Sequence, residues 1–80
     1  MKLDEETIKR ILMEQDEEFN KLIQEHQECE KKLQLFDEKK YLTEEEKIKK
    51  TEIKKIKLGI KDKIYQKIRD YQHSINNQNI

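Results

Sequence analysis

Apolar side chains recur at three- and four-residue steps through most of the chain. Ile8, Ile11, Leu12, Phe19, Leu22, Ile23, His26, Cys29, Leu33 and Phe36 share one stripe of a helix, and Asp4 is placed to cap its start. The pattern predicts a first helix over about residues 4–39. Asp16-Glu17-Glu18 is a second helix-start signal within it, so an interruption near residues 15–17 stays open. A second stripe, Ile53, Ile56, Ile60, Ile64, Ile68, Tyr71 and Ile75, has a mean step of about 3.7 residues, the period of a straight helix rather than of a heptad seam. It predicts a second helix over about residues 44–72. In Leu42-Thr43-Glu44-Glu45-Glu46, Thr43 and Glu46 are spaced for a reciprocal capping box at its start. Residues 74–80 are too polar to bury much and read as a disordered tail, which leaves residues 1–73 as a single domain.

Folding the chain at Tyr41–Thr43 sets the two stripes face to face. Phe36 then meets Ile48, Leu33 meets Ile53, Cys29 meets Ile56, His26 meets Ile60, Leu22 meets Ile64, Phe19 meets Ile68 and Ile11 meets Ile75. The residue numbers of each pair total between 84 and 87, the nearly constant value that antiparallel pairing requires. The expected fold is all-α, an antiparallel two-helix hairpin resembling a coiled coil.

Charge reinforces the pairing. Residues 1–46 hold eight Lys/Arg and fifteen Asp/Glu, a net charge of −7, whereas residues 47–69 hold ten Lys/Arg and only Glu52 and Asp62, a net charge of +8. An acidic arm folded on a basic one follows. Charged residues make up 45% of the 80, and Pro, Trp and Ala are absent, a composition of long helices. At this length one core rarely supplies more than ~3–5 kcal/mol, so a homo-oligomer is expected. A ridge formed by Leu58, Asp62 and Tyr65 lies away from the isoleucine stripe and is the candidate surface for self-association or for another protein. The longest apolar run is Ile11-Leu12-Met13, so neither a signal peptide nor a membrane span is expected. With the single Cys29, this points to the cytoplasm.

Candidate chemistry is sparse. His26 and Cys29 share a helical face at ligand spacing, but His73 is the only other soft donor, so neither a metal nor any other cofactor is expected and both belong to the seam. No third group orients His26 as a base for Cys29, and enzyme activity is not expected. Lys49, Lys50, Lys54, Lys57 and Lys61 are the alternative, a basic rod for nucleic acid. Against it stand sixteen lysines to two arginines, few aromatics to stack on bases, and the acidic arm beside them. The isoleucine stripe that a membrane surface would need is used against the first helix.

Two stretches resemble the YdcH family of small bacterial proteins. One is Asp16-Glu17-Glu18-Phe19, running through Leu22 to Glu25-His26-Gln27-Glu28. The other is Leu42-Thr43-Glu44-Glu45-Glu46 followed by Lys57-Leu58-Gly59-Ile60-Lys61-Asp62-Lys63-Ile64-Tyr65. Together they cover about residues 12–70. Family members often carry Pro where Glu17 stands, breaking the first helix there, and Leu where Cys29 stands. The resemblance implies a helical, bacterial, cytoplasmic protein, and it supplies no substrate or reaction.

Overall fold

A computed structural model describes residues 4–78, with side chains through residue 75. The described residues form three helices and no strand: α1 (Glu5–Gln15), α2 (Glu17–Asp37) and α3 (Glu44–Gln78). The first arm is therefore two helices, and Asp16 alone separates them. Its backbone is extended, at φ −120° and ψ 105°. Its N–H donates to the Leu12 carbonyl at 2.8 Å and closes α1. Its carboxylate accepts from the Phe19 N–H at 3.2 Å, which starts α2 in the manner of an N-cap. Glu17 stands where a proline would suit the first turn, so the break needs only the aspartate. Asp4 caps α1 in the same way, accepting from the Thr7 N–H at 2.8 Å.

α2 ends where the Glu38 N–H reaches the Gln34 carbonyl. Residues 38–43 turn the chain without any residue at positive φ. The capping box at Thr43 forms in both directions. The Glu46 N–H donates to Thr43 Oγ1 at 3.2 Å, and the Thr43 N–H donates to Glu46 Oε1 at 3.1 Å. α3 then continues to Gln78, past the end expected near Gln72. No Pro or Gly interrupts residues 73–78, Gln66 and Asp70 bond one turn apart at 3.0 Å, and Ile75 is half-buried, so the helix has no reason to stop there. Of the segment expected to be a disordered tail, residues 74–78 are thus helical, and Asn79 and Ile80 lie outside the described residues.

The helices pack in a hairpin-like arrangement, with α1 touching both α2 and α3. One cluster joins Ile8 and Leu12 of α1, Phe19, Leu22 and Cys29 of α2, and Ile60, Ile64 and Ile68 of α3. Phe19 is 0% exposed. The core therefore sits toward the α1 end, where three helices meet. Nearer the turn only α2 and α3 face each other. There Leu33 is buried, but His26, Phe36 and Ile53 are half-buried.

Two expected seam positions are corrected. Ile56 is 56% exposed, because at ~100° per residue it lies about 40–60° further round α3 than Ile53 and Ile60, while Ile64 and Ile68 drift the other way. Ile48 is also mostly exposed, since at ~100° per residue it lies about 140° round α3 from Ile53. At that level the helices are joined by Lys50 and Asp37 instead, at 2.9 Å. A Cβ at Gly59 would meet nothing within 4 Å, so no close approach within the chain requires this glycine, whose cost relative to alanine in a helix is about 1 kcal/mol.

Candidate protein interaction surfaces

Charge segregation in the sequence becomes a ladder of ion pairs between the arms. Lys39 pairs with Glu46 across the turn. Lys50 reaches Asp37 at 2.9 Å, Lys57 reaches Glu30 at 3.7 Å, and Lys67 reaches Asp16 at 2.9 Å and Glu18 at 3.5 Å. As partners on the first arm ascend from Asp16 to Asp37, those on α3 descend from Lys67 to Lys50. Exposed pairs of this kind contribute ~0–1 kcal/mol each and mainly fix which residues lie opposite.

Two carboxylates of the ladder, Asp16 and Glu46, are favoured in the ionised form. Lys67 is hydrogen-bonded to Asp16, and the Phe19 N–H adds to it, so the Asp16 carboxyl titrates below the ordinary range. Lys67 is raised in return, chiefly by that hydrogen bond. Lys39 and the Thr43 N–H lower Glu46, and hydrogen bonds from Thr7 lower Asp4. A carboxylate whose folded pKa lies below its unfolded value stabilises fully above that unfolded value, ~4, and loses the contribution as pH falls through the folded pKa. For Lys67 the sign reverses, and its contribution fades only at alkaline pH, above ~10. The urea midpoint should therefore be flat near neutrality and fall on acidification below about pH 4. Asp16→Asn should flatten part of that acid limb; an unchanged acid limb would show that Asp16 has no role in it.

Apolar surface remains exposed after the arms have paired. Beside the turn, a groove of about 690 Å³ is lined by Leu35, Phe36 and Ile53, with Lys32, Glu38, Lys39 and Lys49 at its edges. It shares Lys32 and Ile53 with a smaller depression of about 210 Å³, bordered by Glu25, Glu28, Cys29, Ile56 and Ile60. Leu35 is 62% exposed. This residue falls off the α2 stripe, and only the folding of α3 alongside reveals that it shares a groove with Ile53.

The ridge expected to carry interactions lies elsewhere on α3. Leu58 is 60% exposed and Tyr65 39%, and neither lines the groove. Asp62 between them is also exposed. The Lys61 ammonium stands 5.9 Å from the Tyr65 ring centroid, in cation–π range, and covers part of the ring.

The remaining candidates are dispersed. His26 Nδ1 lies 3.3 Å from a Glu30 carboxylate oxygen, while Cys29 is a free, buried thiol in the core. Among the described residues, no three His, Cys, Asp or Glu side chains converge as a metal site would require, and no helix is long and apolar enough to cross a membrane. Of the five lysines of the basic-rod alternative, Lys50 and Lys57 are engaged with α2 carboxylates, Lys61 with Tyr65, and Lys49 borders the groove. Compared with models of known protein families, with curated proteins and with solved structures, the chain matches none.

Proposed function

We propose that this chain is a self-associating helical interaction module, an antiparallel hairpin whose first arm is broken at Asp16, with no catalytic role. One observation carries the proposal. With both arms paired, Leu35 and Ile56 on the groove side and Leu58 on the ridge all remain more than half exposed. Apolar residues grouped in this way on a small soluble domain mark surfaces that other chains cover. The ridge of Leu58, Asp62 and Tyr65 and the groove beside Leu35 and Ile53 are the two such surfaces, one serving a second copy of the chain and the other a different protein. Membership of the YdcH family, and with it a small bacterial cytoplasmic protein, is part of the same proposal and rests only on the two segments quoted above.

Solution mass measured over a concentration series tests the proposal. The mass should rise from the 9.9 kDa of one chain to a fixed multiple of it. A mass that stays at one chain at the highest attainable concentration would remove self-association. The second reading, nucleic-acid binding through Lys49, Lys50, Lys54, Lys57 and Lys61, predicts tight and steeply salt-dependent binding to duplex DNA. Because two of these lysines already face carboxylates, the expected affinity at physiological salt is no better than that of nonspecific binders, ~10⁻⁴–10⁻⁶ M. Submicromolar binding there would put the nucleic-acid reading first.

A further inference from the structure

We propose that the groove beside the turn is where a second copy of this chain sits, in a two-fold dimer whose axis crosses the hairpin at right angles near Lys32. The proposal rests on the self-association inferred above and assigns it a face. The two ends of the hairpin are unequally covered. At the far end, α1 packs on both α2 and α3 and closes the core around Phe19. At the turn end no third helix is present among the described residues, and Leu35, Ile53 and Ile56 border an open groove. Two hairpins laid groove to groove supply each other's missing layer, a four-helix arrangement around these side chains and Phe36.

Charge selects the occupant and its direction. Glu25 and Glu28 border the adjoining depression at one end of this surface, and Lys39 and Lys49 border the groove at the other, about 20 Å away along the helix. Of the residues lining the lysine end, Lys39 and Lys49 outnumber Glu38, while Glu46 pairs with Lys39 from outside the groove. A second copy running in the same direction would set like charges together. Reversed by the two-fold, each acidic end meets a basic end, and every contact occurs twice, as an isologous interface requires. Lys32 lies near the axis, one helical turn from the Glu28 position of the second copy, whose carboxylate accepts its ammonium.

Charge exchange on the full-length chain tests this assignment. One variant carries Glu25→Lys and Glu28→Lys, the other Lys39→Glu and Lys49→Glu; all four side chains are exposed or half-buried. Mass is measured over a concentration series, with helix content followed by circular dichroism. The native chain should reach twice 9.9 kDa. Each variant alone should dimerise at least about tenfold more weakly, because both ends then face like charge. An equimolar mixture of the two should recover the dimer mass, since an all-basic groove meets an all-acidic one, and recovery also shows that both variants are folded. A native chain that stays monomeric overturns self-association and this proposal together. A native dimer with both variants equally dimeric, or with a mixture that gains nothing over its components, overturns the groove assignment alone. In that event, loss of mass in Leu58→Ser/Tyr65→Ser would place the interface on the ridge.

Discussion

Phe19→Ala should leave most of the chain unfolded at room temperature. Its ring is fully enclosed where α1, α2 and α3 meet. Removing such a ring costs about 3–5 kcal/mol, through lost burial and the cavity left behind. A single core of this size supplies little more than that in total, ~3–5 kcal/mol. Circular dichroism at 222 nm should show loss of most helical signal, and Phe19→Leu, which keeps most of the volume, should retain it. If Phe19→Ala keeps native helicity and a native urea midpoint, the three-helix cluster is not what holds the fold together.

The second large effect separates the stripe of α3 from its ridge. Ile60→Ala with Ile64→Ala removes two buried side chains at about 2–5 kcal/mol each and should melt the hairpin. Leu58→Ser with Tyr65→Ser alters residues only two and one positions from that pair on the same helix, yet should leave most helix content intact, because both are substantially exposed. Equal loss of helicity in the two double variants would show that the ridge packs within the chain.

Much of the architecture is legible before any coordinates. The spacing of Thr43 and Glu46 specifies the capping box, and charge segregation anticipates the ladder from Lys39–Glu46 to Lys67–Asp16. These are short-range or pattern-level rules that hold wherever the chain is helical. The break at Asp16 is only an open possibility in the sequence, since an aspartate followed by two glutamates suits both a helix interior and a helix start. Lys67 is 51 residues away, and its contact with that same aspartate cannot be read from local spacing. Ile56 marks the other limit. Three- and four-residue steps keep it on a nominal stripe, but the stripe is wide, and a shift of some tens of degrees decides between seam and groove wall. The extension of α3 past Gln72 is not legible because low apolar content argues against independent folding, whereas a helix already formed continues at little cost per residue.

The unequal ends of the hairpin bear on the order in which it can form. Lys39 and Glu46 are seven positions apart, while Asp16 and Lys67 are separated by 51. Loop closure grows as (3/2)RT ln n, so bringing the second pair together from the open chain costs about 1.8 kcal/mol more than the first. The turn end is thus the easiest to close, but it encloses little apolar surface, and the core that rewards closure is at the opposite end. Neither end has both a low entropic barrier and enough burial to persist by itself. Folding should accordingly zip from the turn toward α1 without a stable half-folded species. The eleven residues of α1, too few for a lasting helix in water, should dock last and be the first to exchange their amide protons.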